Sequence, residues 1–390
     1  MSRPSEPPWI PWKEFQCISL SNLPLPPLSP LTPSKEGWVE QDHSTILEAK
    51  NKISAFESQE EWEIRKKITN PYEAIFSSTD DTSFPCIAIA QPLSRSYFKM
   101  VEMLQFIQFW TKDIHSSEFV SAHVCEGPGG FIQCLLQQAK QRRVNVKGIL
   151  AMTLKPTKSH IPGWRRSIGF LRKNPEILLE YGKDETGDIL QPQNQEVFLQ
   201  RVKTLSPLGA AIFTADGGFD FSIDYSKQEQ MAFPLLLSSF SMGLSCLRPG
   251  GTLLIKLFDM YSKATQDVFL GTSVFFDRFV LYKPATSRPC NSERYFLAQG
   301  YKGSAAASEW IQHLQKAQTI QSPLTSLIEG RWPPQVEEAV QEQIAWQESL
   351  QIQSIQDTLQ LEKASLESRL ELSLTLSRMW CDTFQIPRQN

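Results

Sequence analysis

The 390-residue chain has no CxxC pair, and its seven cysteines, Cys17, Cys86, Cys125, Cys134, Cys246, Cys290 and Cys381, lie scattered. Its five histidines form no cluster with them. That excludes a disulfide framework and a zinc ligand set, so no metal is expected, and it suits a reducing compartment such as nucleus or cytoplasm. No apolar run is long enough to cross a bilayer, and the opening MSRPSEPPWIPWKEF lacks the basic-then-apolar pattern of a secretory leader. The expectation is a protein that is neither membrane-spanning nor secreted. Also missing are a Gly-Lys-Ser/Thr phosphate loop and a GxGxxG fingerprint, which speaks against a triphosphate or dinucleotide ligand.

Acid is absent from one long stretch. Net charge is only −3, yet residues 127–175 hold no Asp or Glu while Lys140, Arg142, Arg143, Lys147, Lys155, Lys158, Arg165, Arg166, Arg172 and Lys173 fall inside them. Beyond Glu329 the balance turns acidic. A polyanion can therefore meet one face of the molecule, or the stretch is a solvated basic surface without a partner.

Prolines crowd residues 1–43, in PSEPPWIPW and PLPPLSPLTP, too often for helix or strand, so an extended arm is expected there. Residues 44–118 form a helical segment leading into the core; within it, Ile46, Leu47, Ile53, Phe56, Trp62 and Ile64 suit one or two amphipathic helices. From 119 to 303 the text alternates. Strand candidates are FVSAHV, VKGILAM, AAIFTA, TLLIKLF, FDRFVLY and RYFLAQG; helix candidates are FIQCLLQQAKQ, NQEVFLQRVKTL and KQEQMAFPLLLSSFSMGLSCL. The fold class is α/β, a doubly wound, mostly parallel sheet with helices on both faces. KPATSRPCNSE is too short and Pro-rich for a crossover helix, so the last two strands are expected as an antiparallel hairpin at the edge. Residues 304–390 read as a C-terminal extension of long helices.

At the first strand-to-helix turn stands CEGPGGF, Cys125 to Phe131. In a doubly wound fold ligands bind beyond the carboxyl ends of the strands, and glycine there lets the backbone approach closely. A nucleoside without a pyrophosphate, such as S-adenosylmethionine, suits the loop, as does a tight turn with no ligand.

CEGPGGF resembles the cofactor loop of FtsJ-like (RrmJ-type) ribose 2'-O-methyltransferases. The likeness continues in order through SRSYFKM, TADGGFD, GGTLLIKLFD and SRPCNSERYFLAQGYKG. NPYE at Asn70 to Glu73, AMTLK at Ala151 to Lys155 and TGDI at Thr186 to Ile189 are similar to the mRNA cap (Adrift-type) group of that superfamily. The resemblance covers residues 60–303. It implies a seven-stranded class I methyltransferase (Rossmann-like) sheet, S-adenosylmethionine as cofactor and capped RNA as substrate, methylated at the first transcribed nucleotide. It places a Lys-Asp-Lys-Glu tetrad on Lys99, Asp216, Lys256 and Glu293. Cofactor contacts fall on Ser94, Cys125, Glu126, Gly127, Pro128, Gly129, Gly130, Phe131, Asp188 and Ile189, with Asp188 as the acid toward the adenine amino group. Ser94 stands where the cap group often has Asn. Arg288 and Asn291 lie near the substrate strand in the family, and Lys66, beside Arg65 and Lys67 just before NPYE, is offered as a substrate contact on charge alone.

A ribose hydroxyl is a very weak acid, so its attack on a sulfonium methyl needs a base and alignment. A lysine serves only when neutral; burial and a nearby like charge, here Lys99, are expected to lower the pKa of Lys256. Asp216 then orients Lys256, and Glu293 positions Lys99. Which lysine takes the proton stays open, with Lys256 preferred. Singly, each residue has a plainer reading, a rim charge or turn former; the ordered set carries the assignment. Trp164 between basic residues is offered as a platform for an RNA base, with Arg165 and Arg166 on phosphates. The arm or the C-terminal helices are candidates for a protein partner. An rRNA or tRNA methyltransferase, or an idle RNA- or polymerase-binding scaffold, remain alternatives.

Overall fold

The computed structural model describes residues 23–33, 44–54, 58–77, 84–110, 114, 118–157, 161–218, 227–320 and 322–389. Its centre is a seven-stranded sheet in the order β3-β2-β1-β4-β5-β7-β6. The strands are β1 (Phe119–Val124), β2 (Val146–Met152), β3 (Ile177–Glu180), β4 (Ala210–Ala215), β5 (Leu247–Leu257), β6 (Arg278–Tyr282) and β7 (Arg294–Gln299). β1 to β5 pair in parallel; β7 runs antiparallel to both β5 and β6. Every residue of β1 and β4 is buried, as befits central strands covered on both faces. The strand order turns at β1 and β4, so the connections leaving them diverge and open a crevice.

The expected fold class holds, with two differences in detail. β3 is missing from the sequence-predicted strands: it is four residues long and only half covered, so it carries little periodic signal. The hairpin of β6 and β7 is present, but β7 turns inward beside β5 and β6 alone forms the edge.

Alternation along the strands divides the core into two layers. Phe279, Leu281, Phe296 and Ala298 face one layer with Phe213, Phe240, Phe269 and Trp310. Helices α6 (Pro192–Leu205), α7 (Gln228–Cys246), α8 (Lys263–Ser273) and α9 (Ser304–Gln318) supply that side. Val280, Tyr282, Tyr295 and Leu297 face the other layer, with Phe98, Met103, Leu135 and Trp380. Here lie α3 (Ser96–Phe106), α4 (Gly130–Gln141) and α11 (Leu366–Thr383). A short α5 (Ile168–Lys173) precedes β3.

The expected N-terminal helical region is two helices, α1 (Ser44–Ser54) and α2 (Gln59–Ile68). Ile46, Ile53 and Trp62 are buried against Ile355 of α10 (Pro334–Leu359), whereas Ile64, counted among the apolar positions of this region, is exposed. Trp9, Trp12, Phe56 and Lys158 lie outside the described residues. Lys50 of α1 forms a buried ion pair with Asp259, 2.5 Å away just past β5. The described part of the Pro-rich arm runs along residues 324–329: Ser29 N donates to Leu327 O at 3.1 Å and Glu329 N to Pro27 O at 2.7 Å. Its Leu23, Leu25, Leu28 and Leu31 pack on the core. The C-terminal helices likewise turn Val340, Ile344, Leu376 and Trp380 onto this chain's own core. Among the described residues, no helix is long and apolar enough to cross a membrane.

Candidate active site

Lys99, Asp216, Lys256 and Glu293 meet at the carboxyl-end rim of the sheet. Lys99 projects from α3, Asp216 follows β4, Lys256 is the penultimate residue of β5 and Glu293 immediately precedes β7. Lys99 Nζ lies 2.6 Å from Glu293 Oε1, and Lys256 Nζ lies 3.2 Å from Asp216 Oδ1 and 3.9 Å from Glu293 Oε2. Lys256 Nζ also donates to the carbonyl of Asp216 at 2.9 Å. Tyr295 Oη donates to Asp216 Oδ1 at 2.8 Å and Ser287 Oγ to Glu293 Oε1 at 2.7 Å, which fixes both carboxylates. The four side chains keep 11–14% of their surface, enough for a substrate to touch and too little for bulk water to screen them.

The electrostatics differ from the sequence-based expectation. Burial does pull the pKa of Lys256 down, but the carboxylates of Asp216 and Glu293 outweigh it, and the net shift is upward. The expectation treated Lys99 as the neighbour that matters, whereas two acids lie against Lys256. Burial pushes Glu293 up, yet Lys99 and Lys256 overcome it and hold the carboxyl at about 2.

One stripe of α3 builds the frame. Arg95 at its N-cap, Lys99 and Glu102 follow each other at helical spacing and address the β6–β7 connection. Arg95 Nε donates to Thr286 O at 3.2 Å, Lys99 takes Glu293, and Glu102 accepts the amides of Ala285 and Thr286 at 2.7 and 2.8 Å. Glu73 of the NPYE segment adds a clamp, receiving Arg288 Nε and Nη2 at 3.1 and 2.9 Å and Asn70 Nδ2 at 2.7 Å, with Arg95 Nη1 at 3.4 Å. Burial raises the Glu73 pKa, but the two guanidiniums more than reverse that. Arg288, expected at the substrate, is thus committed to Glu73. Asn291 uses its carbonyl to accept from Lys283 Nζ at 2.6 Å, and Lys66 pairs with Glu63.

The loop Cys125–Phe131 occupies the crevice beyond β1. Gly129 sits at φ 106°, and a Cβ there would press on the Trp164 ring; a Cβ on Gly130 would collide with the hydroxyls of Ser94 and Ser96. Across the crevice, Gly187 of TGDI has φ 72° and no room for a Cβ beside the Thr153 carbonyl. That close approach brings Asp188 to the rim, half-buried and near enough to Cys125 to raise its thiol pKa, which burial chiefly drives to about 12. Ile189 and Phe131 turn their side chains into the core, so only their backbone faces the loop. Phe131 packs on Tyr295 at 5.9 Å between ring centres. Behind the loop, Glu126 is buried and accepts from Thr214 Oγ1, with Oε2 left unpartnered; burial and Asp216 push its pKa well up. His123 is stripped of charge by burial, to about 3, and donates or accepts with Thr214 Oγ1 at 2.7 Å and Ser121 Oγ at 2.9 Å.

These residues suit a cationic nucleoside such as S-adenosylmethionine. The crevice wall offers the Asp188 carboxylate, the Ser94 hydroxyl and glycines whose missing side chains leave the backbone bare, and directly behind the loop lies the buried Glu126 carboxyl with one orphan oxygen.

The basic stretch is less available than its composition suggests. Lys140 pairs with Glu176 at 2.7 Å, Lys147 with Glu118 at 2.6 Å and Lys155 with Glu185 at 2.9 Å, all acids from outside the stretch. Trp164 is 7% exposed and packs with Ile132, Leu136 and Ile177, so the expected base platform is instead a support beneath Gly129. Arg165 and Arg166 are exposed. Sequence reasoning gave no role to Glu73, Arg95 or Lys283: the partners of Glu73 and Arg95 arrive from far along the chain, and those of Lys283 from across the β6–β7 connection.

A family model described as FtsJ-like methyltransferase matches residues 92–301. The chain is similar to a protein named cap-specific mRNA (nucleoside-2'-O-)-methyltransferase 1 from Danio rerio, 31% identical over 278 residues, covering 66% of this chain and 31% of the relative. The namesake from Trypanosoma cruzi is 27% identical over 270 residues, covering 65% and 70%. The human one is 35% identical over 196 residues, covering 49% and 22%. The chain thus spans about a third of the Danio rerio protein's length.

Proposed function

The chain belongs to the FtsJ-like methyltransferase family, and on that premise we propose that it methylates the ribose 2'-hydroxyl of capped mRNA, at the first transcribed nucleotide. The observation that carries the reading is the meeting of Lys99, Asp216, Lys256 and Glu293 at the end of the crevice that holds the Cys125–Phe131 loop. The cap is supported by the names of the relatives above and by the NPYE, AMTLK and TGDI segments.

S-adenosylmethionine, when bound, supplies an electrophilic methyl group on a sulfonium. Gly127 to Phe131 would hold it by backbone, Ser94 and Glu126 by polar groups at the methionine end, and Asp188 at the adenine. Asp216, oriented by Tyr295, and Lys256 receive the acceptor hydroxyl between them. In the free protein Lys256 is charged; a further positive charge brought into the site works with burial to favour the amine, which then takes the hydroxyl proton. Glu293 holds Lys99 away from the hydroxyl and keeps the site's charge balanced.

The test is methyl transfer from labelled S-adenosylmethionine to matched short RNAs, capped and uncapped, with wild type and Lys256→Met, followed by nuclease digestion to locate the label. Label on the 2'-oxygen of the first nucleotide of capped RNA alone, lost in the variant, supports the proposal. Equal labelling of uncapped structured RNA favours an rRNA or tRNA substrate. Cofactor binding with no transfer to any RNA points to a scaffold.

A further inference from the structure

The pairing of β6 with β7 stops at Tyr282 opposite Tyr295. Beyond it the two chains separate into the connection that returns as Asn291, Ser292 and Glu293, where no ladder holds them. Lys283 takes over. Its half-buried side chain reaches the foot of the connection, where the ammonium donates to Asn291 O at 2.6 Å and Glu293 O at 2.8 Å, with Ser287 Oγ at 3.5 Å. Ser287 in turn donates to Glu293 Oε1, the oxygen that takes Lys99.

We infer that Lys283 is a positioning residue for methyl transfer: by gripping the carbonyls of Asn291 and Glu293 it sets the Glu293 carboxylate between Lys99 and Lys256. Its hydrogen bonds toward the tetrad run to Glu293 O and, through Ser287, to Glu293 Oε1, so it acts through Glu293. Losing it would strand two carbonyls and let the carboxylate drift, and displacements of about 1 Å at such sites cost up to roughly a hundredfold in rate.

Lys283 also has an ionisation that reports on the role. Burial pulls its pKa down to about 7, with Arg294 and Lys99 adding to the fall and Glu293 and Cys290 opposing it. Glu293, Arg294 and Cys290 belong to the hairpin and its connection, and Lys99 to α3. Across neutrality the lysine therefore gains or loses a charge next to Glu293, and the balance felt by Lys256 changes with it.

The inference rests on the proposed methyl transfer, so the experiment has one readout that needs turnover and one that does not. Lys283→Met is compared with wild type for kcat, KM and the pH dependence of kcat/KM, and by amide hydrogen exchange over residues 288–293. Expected are a kcat lower by about tenfold or more, a KM for S-adenosylmethionine within about twofold, loss of an inflection near pH 7 that wild type shows, and faster exchange in 288–293. Unchanged kcat with unchanged exchange overturns the inference. So does a loss of rate that follows a fallen melting temperature while the inflection persists. If Lys283→Met does not accumulate folded, Lys283→Arg keeps donors and charge without an ionisation near neutrality: activity retained with the inflection gone supports the role, and an inflection still present sinks it. A wild type that methylates no RNA while the variant's 288–293 exchange quickens defeats the proposed reaction, and with it the catalytic half of the inference, while supporting the grip of Lys283 on the segment that carries Glu293.

Discussion

Lys99 Nζ and Glu293 Oε1 stand 2.6 Å apart, joining α3 to the residue before β7 across the open end of the sheet. The same carboxylate faces Lys256 with its other oxygen, so one anion serves two cations.

Replacing Glu293 by Gln removes that anion. Glu293 raises the pKa of Lys256, so its loss lowers that pKa, and the alkaline rise of kcat/KM should move to lower pH. The misplaced Lys99 should still reduce kcat by about tenfold or more. A pH–rate profile of the variant checks both; a rise at unchanged or higher pH contradicts the arrangement.

Acid should unfold the protein partly through the same residue. Glu293 is held at about 2 when folded, against 4.5 ordinarily. A depressed carboxyl stabilises the fold above the ordinary value and loses that contribution as pH falls from 4.5 through about 2, worth roughly 3 kcal/mol. Urea unfolding at pH 7, 4 and 3 should show the decline, and Glu293→Gln should flatten it.

Lys50→Met leaves Asp259 buried without its cation. Unfolding free energy should drop by about 3–5 kcal/mol, whereas Lys50→Met with Asp259→Asn should recover part of the loss. Denaturation of the two variants separates a true pair from mere packing: an equal loss in both argues for packing.

Gly187→Ala sets a methyl group against the Thr153 carbonyl and strains a positive φ. The segment carrying Asp188 must shift, so S-adenosylmethionine affinity should fall by about tenfold or more, an effect of order 1–2 kcal/mol. Calorimetric titration reads it directly, and unaltered affinity would dissociate this segment from the cofactor.

Exchange of Arg165 and Arg166 for Ser should weaken RNA binding and reduce its salt dependence by about 1.4 in log–log slope if both grip phosphates of a single strand. Trp164→Ala should act differently, lowering stability and cofactor affinity without changing the slope. Filter binding across a salt series distinguishes the two.

The central strands are plain in the sequence because burial on both faces writes continuous apolar runs: FVSAHV, VKGILAM and AAIFTA match β1, β2 and β4 residue for residue. ILLE escapes notice because four residues with one side open show no period. The positions brought together at the rim follow from motif order, but their electrostatics do not. Whether Lys256 gains or loses a proton more easily depends on how close Asp216 and Glu293 come, 40 and 37 residues away in sequence order. Arg288 is the same case: nothing near it in the chain announces Glu73, 215 positions earlier. Lys283, following a strand and preceding a proline, looks like a solvated rim charge until the fold turns its ammonium onto the carbonyls of Asn291 and Glu293.

The stripe of Arg95, Lys99 and Glu102 also bears on how this gene can change length. One residue inserted between Arg95 and Lys99 would turn everything after it by about 100°. Arg95 would still meet Thr286, while Lys99 and Glu102 would swing away from Glu293 and from the amides they hold. Single insertions and deletions should therefore be lethal to activity inside this short helix even where substitutions are forgiven, and a length-variant library scored beside a point-mutant library would expose the contrast.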